Sequence, residues 1–161
     1  QSRDDSDYSV CTTFLKRKDD YYLLHVFRAR LNFPDLQRKV ISHAREFAAD
    51  VILIEKAGPG ISLLQELEAN PTHRMVRPIG ILPKGDKKDR LAAQSPKIEA
   101  GHVYLPMEAP WLADFRDEVL AFPNTRHDDQ VDTLAQFLFW ASSRRYNPPP
   151  RMVSLPVYGS G

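Results

Sequence analysis

Val51-Ile52-Leu53-Ile54-Glu55 is the segment that most narrows what this chain can become. Its four consecutive apolar residues have the length of a strand and no polar face. A strand buried on both faces requires such a run. The run then stops on a carboxylate. A strand that ends on an acid aims that acid at the carboxyl edge of its sheet, where open α/β sheets collect their ligands.

The flanking segments supply the layers. Tyr8–Leu15 alternates as a strand, with Val10, Thr12 and Phe14 on one face. Lys16–Asp20 is a polar turn, and Tyr21–Arg30 is a second strand that pairs with the first as a hairpin. Pro34 and Asp35 open a helix that Asp50 ends, its apolar positions Leu36, Val40, Ile41, Ala44, Phe47 and Ala48 recurring at helical spacing. Gly58-Pro59-Gly60 shapes a link to a short helix over Ile61–Glu68. A strand at Val76–Leu82 follows, then helix over Lys84–Ala100 interrupted or restarted at Pro96. Gly101 closes that helix before a short strand at His102–Leu105. Ala109–Ala121 and Asp128–Tyr146 are the last helices, with Trp111, Phe115 and Trp140 expected in the core. The fold class is therefore α/β, a mixed central sheet flanked by helices. Residues 1–146 form the domain, and Pro-rich 147–161 reads as an extended, mobile tail.

Composition sets outer bounds. At 161 residues and 42% hydrophobic content the chain can bury one substantial core. Its formal charge of +1 excludes neither nucleic acid nor protein partners. No apolar stretch approaches the roughly 20 residues that cross a bilayer, so no membrane role is expected. The polar, acidic start Gln1–Asp7 does not resemble a signal peptide. The single cysteine, Cys11, cannot close an internal disulfide and reads as a buried packing residue in a reducing compartment. The chain opens close to where a first strand should end, which suggests either a piece of a longer polypeptide or a missing segment.

Arg126-His127-Asp128-Asp129-Gln130-Val131-Asp132 carries the chemistry. Three carboxylates within five residues repel one another, and a divalent cation is the obvious means of neutralising them. Asp128 and Asp129 lie four and three residues before Asp132, spacings that share one helix face. Together with Glu55 they suggest one metal site assembled from distant segments. A single such Asp is more simply a helix cap. His127 reads as a metal ligand, a phosphate partner or an ordinary turn residue.

Several motifs in order resemble one family. Asp7–Thr13, Val51–Glu55, Ala93–Pro96, Glu99–Pro106 and Phe122–Asp132 look like the C-terminal nuclease domain of tailed-bacteriophage large terminases, over about Asp7–Trp140. The resemblance implies an RNase H-like fold, related to the junction resolvase RuvC and to retroviral integrases. It implies a metal-dependent endonuclease that cuts concatemeric phage DNA with two Mg²⁺ or Mn²⁺ ions. It further implies double-stranded DNA, a packaging ATPase domain, a small terminase subunit and a portal protein as partners, in the host bacterial cytoplasm. Carried over to this chain, Glu55 matches the acid ending the central strand, and Asp128 and Asp129 match the acid pair near the last helix. Asp132 matches a supporting acid at that helix. The order of importance is Asp129, Asp128, Asp132. The family's remaining acid normally ends the first strand; Asp4 matches it, with Asp5 and Asp7 as fallbacks.

Lys84, Lys87, Lys88 and Arg90 are the candidate phosphate contacts, joined by Lys56 and Arg126 beside the acids. Interleaved Asp86 and Asp89 make a solvated helix start an equal reading of the first group. There is no phosphate loop, so this chain by itself is not the ATPase. Two rival functions remain: a Holliday-junction-resolvase-like nuclease, and a non-catalytic docking module of the packaging motor with a degenerate metal site. The basic, Pro-rich tail with Arg144, Arg145 and Arg151 suits docking to another packaging component.

Overall fold

The computed structural model describes residues 8–70, 76–143 and 151–158. The chain forms β1 (Tyr8–Arg17), β2 (Asp20–Arg30), α1 (Phe33–Glu46), β3 (Ala49–Glu55), α2 (Pro59–Ala69), β4 (Arg77–Ile81), α3 (Lys87–Glu99), β5 (Val103–Tyr104), α4 (Leu112–Ala121), α5 (Asp129–Ser143) and β6 (Arg151–Tyr158). The sheet has six strands in the order β4-β3-β6-β1-β2-β5. β1 and β2 form the expected antiparallel hairpin. β3 and β4 run parallel, as do β2 and β5. This is the mixed sheet anticipated from the sequence.

β3 shows why its run has no polar face. Leu53 joins Phe14, Phe115, Leu134, Phe137 and Leu138 in one core layer, under α4 and α5. Ile52 and Ile54 join Leu36, Val40, Ala44, Leu63 and Leu67 in the other, under α1 and α2. Full burial of one such side chain contributes about 1.5–3 kcal/mol. In the first layer Phe14 stacks on Phe137 at 4.1 Å between ring centroids. Phe115 is buried, and Trp111 and Trp140 pack against the same layer, as their spacing suggested. Cys11 is buried as well.

Two expectations shift. α1 stops at Glu46 and not at Asp50. Ala48 takes φ of 48°, which turns the chain, and buried Ala49 already belongs to β3. At its other end the Asn32 side chain caps the helix by accepting from the Asp35 amide at 2.9 Å. α3 passes through Pro96 without a break.

The segment expected to be a mobile tail differs most. Arg151–Tyr158 lies inside the sheet, antiparallel to β1 and parallel to β3. Buried strands such as β1 and β3 need backbone partners on both edges, because an unmade buried hydrogen bond is costly. The alternation Val153, Leu155, Val157 is a strand signal that the neighbouring prolines and terminal Gly-Ser-Gly obscured. Because β6 runs parallel to β3, it ends at the same sheet edge as Glu55, and Arg151–Tyr158 contains no carboxylate.

Candidate active site

Glu55 stands at the carboxyl end of β3, half-buried, and its backbone is tightly held. The next amide, Lys56, donates to the Ile81 carbonyl at 2.8 Å and so ties the strand end to β4. Gly58, at φ of 51°, turns the chain into α2. Gly60 packs directly on the Glu55 carbonyl oxygen, and a Cβ there would collide with it. The Gly-Pro-Gly segment thus fixes the backbone that carries the acid.

α5 brings the other acids to the same place. All of its first ten residues are buried, polar and apolar alike. Val131, Leu134 and Leu138 face core, while Asp129 and Asp132 are 6% and 2% exposed. Charges this deep need partners. They come from α3, whose start is set by Asp86 accepting from the Asp89 amide at 2.8 Å. Lys87 Nζ lies 2.6 Å from Asp128 Oδ1 and 3.5 Å from Asp129 Oδ1. Arg90 forks onto Asp132, with Nε and Nη2 each 2.9 Å from a carboxylate oxygen. Such bidentate pairs combine charge with fixed geometry. Gln136, one turn beyond Asp132, donates Nε2 to Asp132 Oδ2 at 3.0 Å and to Glu55 Oε2 at 3.3 Å. That single amide joins β3 to α5.

Burial pushes the Glu55 carboxyl above its usual range; the Gln136 hydrogen bond opposes this, and the Asp132 charge adds to it. Burial raises Asp129 too, against the pull of Lys87. Lys87 itself is disfavoured as a cation by burial, but its bond to Asp128 and the surrounding acids outweigh that and raise it. At Glu55 and Asp129 burial thus outweighs the opposing pull of the cations supplied from α3.

Sequence reasoning named the four acids but not how they divide. Asp132, placed third among the α5 acids, is the one linked to Glu55. Asp128 and Asp129 form a second group around Lys87. Lys87 and Arg90, expected at phosphate, are turned onto the acids. Lys84, Lys88, Lys56 and Arg126 are exposed. His127 is exposed, its ring edge-on to Tyr8 at 5.6 Å. Asp4, Asp5 and Asp7 lie outside the described residues, as do Arg144 and Arg145. Gln136 and Glu118 were missed. Gln136 follows Asp132 by four residues, which marks it as a neighbour on that helix face. Buried Glu118 of α4 accepts from the Val131 amide at 2.7 Å and from Gln130 Nε2 at 3.0 Å, securing the first turn of α5. Nothing local in the sequence signals that contact.

Among the described residues, no group of three His, Cys, Asp or Glu side chains is arranged to hold a metal ion by itself. The donor chemistry nevertheless suits a hard divalent ion: Glu55 and Asp132 share the Gln136 amide, and an ammonium sits between Asp128 and Asp129. Displacing Lys87 would free both Asp128 and Asp129. No helix among the described residues is long and apolar enough to cross a membrane.

No curated protein matches the chain. The terminase RNaseH-like domain family matches residues 1–140. That span carries both the parallel β3–β4 pair with Glu55 and the α5 acids, and the chain belongs to the terminase RNaseH-like domain family.

Proposed function

We propose that this domain is the nuclease of a large terminase and hydrolyses DNA phosphodiester bonds with two Mg²⁺ or Mn²⁺ ions. The observation that carries the proposal is the convergence of Glu55 and Asp132 on one Gln136 amide, beside Asp128 and Asp129. Acids 77 residues apart in sequence are held together there at a sheet edge, although burial, and after it the Asp132 charge, raises Glu55. A function that uses the negative charge accounts for keeping it.

Glu55, Asp132, Asp129 and Asp128 would hold the ions. When bound, such ions lower the pKa of an attacking water and neutralise charge building on the phosphate. The chain's own groups do the rest. Gln136 fixes the spacing of Glu55 and Asp132. Arg90 holds Asp132 in one orientation. Lys87 balances Asp128 and Asp129 before the ions enter, and its ammonium is then placed to meet a phosphate oxygen. Exposed Lys84, Lys88, Lys56 and Arg126 would supply the salt-sensitive backbone contacts. Concatemeric phage DNA is the proposed substrate, with the ATPase domain, small terminase subunit and portal as proposed partners in the host cytoplasm.

The test is supercoiled-plasmid cleavage with Mn²⁺, Mg²⁺ or excess chelator, for the parent protein and for Glu55→Gln and Asp129→Asn. Metal-dependent nicking that both substitutions abolish is the expected result. A folded parent that does not cut under any of these conditions would overturn it.

A further inference from the structure

A cavity of about 200 Å³ opens between β4, the start of α3 and α5, and it shares Arg90 and Gln136 with the acid cluster. Its walls are mainly apolar, from Leu82, Ala135 and Phe139 among others, with Lys84 and Asp89 also lining it. Phe139 is 52% exposed and Leu82 66%, although both adjoin a well-packed core. α5 is otherwise buried through this stretch, so Phe139 is the point where its apolar surface meets solvent.

Gln136 supplies the second observation. It is 3% exposed, and its Oε1 has no hydrogen-bond partner. The amide cannot simply be reversed, because Nε2 donates to Glu55 and Asp132 and reversal would set an oxygen against two carboxylates. A buried acceptor is therefore left without a donor on a side chain that lines the cavity. Such groups are uncommon, and each calls for a physical reason.

We propose that this cavity receives one unpaired nucleobase of the DNA strand being cut, next to the scissile phosphate. The proposal rests on the nuclease reading above. The volume lies below the roughly 300–1,000 Å³ of pockets for drug-sized ligands and suits a single flat ring system. Apolar walls and an exposed aromatic match the faces of a base. The lone Gln136 acceptor matches its edge, since every DNA base carries an N–H donor there. An apolar side chain of a protein partner would fill the walls but leave Oε1 unsatisfied. Among the charged residues of the lining, Arg90 is paired with Asp132 and Lys84 is offset by Asp89, so the cavity suits neutral rings. Gln136 also touches the acids, which puts the base within one nucleotide of the reacting phosphate. Because all four bases qualify, the pocket confers little sequence preference but favours frayed, nicked or extruded nucleotides over intact duplex.

Phe139→Ser and Leu82→Ser alter exposed positions and should leave the fold intact, which circular dichroism checks. Binding is measured by anisotropy with Ca²⁺, on oligonucleotides that carry either normal bases or a central run of abasic sites, single-stranded and duplex. The expected result is a loss of roughly 5- to 150-fold in affinity of Phe139→Ser for the base-bearing single strand, the range for one base–aromatic stack. Leu82→Ser should lose less. On the abasic strand both variants should match the parent. Equal affinity of parent and Phe139→Ser for the base-bearing strand would overturn the pocket while leaving the nuclease reading intact. Equal losses on base-bearing and abasic strands would do the same. A parent that binds no DNA of any form would overturn both.

Discussion

Acidification should destabilise this fold through His43, and the size of the effect follows from its surroundings. His43 of α1 is 2% exposed, bonded through Nε2 to Thr13 Oγ1 at 2.8 Å. Its ring centroid lies 4.8 Å from that of His25 on β2 and 4.7 Å from that of Phe47. Burial, the neighbouring His25 and the Lys39 charge lower its pKa from 6.5 to about 4, while Glu46 pulls the other way. A lowered folded pKa means the neutral ring is the folded form. Its stabilisation is complete above the unfolded value, is lost as pH falls through the interval between the two, and levels off below about 4. Linkage gives a loss of about 2–3 kcal/mol on going from about pH 7.5 to about pH 4.5. Glu55, Glu118 and Asp129 act in the opposite direction, because acids with raised folded pKa values become easier to bury as pH falls. A raw pH profile therefore mixes signs. The clean measurement is the difference between the parent and His43→Gln, which cannot titrate but can still reach Thr13. Urea melts at the two pH values should show the parent's midpoint falling about 1 M further than the variant's, for a slope near 2 kcal/mol/M. His25→Gln in the parent background should shrink the gap, since it removes one of the charges opposing protonation. Identical pH dependence in the parent and His43→Gln would refute the reasoning.

The other expectations concern the site. Lys87→Met leaves Asp128 and Asp129 without their ammonium, so in chelator it should cost about 1–3 kcal/mol by thermal melting. Mn²⁺ should bind it more tightly than it binds the parent by calorimetry; weaker binding would mean that Lys87 assists the ion and does not compete with it. Gly60→Ala should drive the Glu55 carbonyl aside and lower both melting temperature and plasmid cleavage, whereas unchanged cleavage would show that the turn does not position the acid. Glu118→Ala strips the Val131 amide and Gln130 of their acceptor and should cost about 1–3 kcal/mol. Amide exchange should then quicken first at the start of α5, and uniform exchange across the helix would contradict the capping role.

The site as a whole is an exercise in balancing charge at low exposure. Lys87 and Arg90 of α3 are paired with the α5 acids, and burial raises Glu55 and Asp129 despite them. Arg90 fixes the orientation of Asp132, and nothing else among the described residues donates to both of that carboxylate's oxygens.

The sequence by itself determined the layers and the inventory of acids. A four-residue apolar run is both-face burial written locally, and helical spacing wrote the buried faces of α1 and α5. Glu55 and Asp128–Asp132 were legible because crowded carboxylates are unusual in any local window. Partnership was not legible. That Lys87 and Arg90 pair with Asp128 and Asp132 was hidden, since a cation's target 41 or 42 residues away is invisible until the fold brings α3 beside α5. Gln136 looked like an ordinary polar helix residue; only the placement of β3 against α5 makes its amide the link between Glu55 and Asp132. Glu118 was silent for the same reason. The tail is the sharpest case. Its prolines and terminal glycines indicated an extended chain, and β6 is extended, but whether an extended segment meets water or a sheet depends on unpaired edges elsewhere. Local energetics fix the shape of a segment and tertiary structure fixes its neighbours, because side-chain and backbone pairing across the sheet acts only between segments the fold has already brought together.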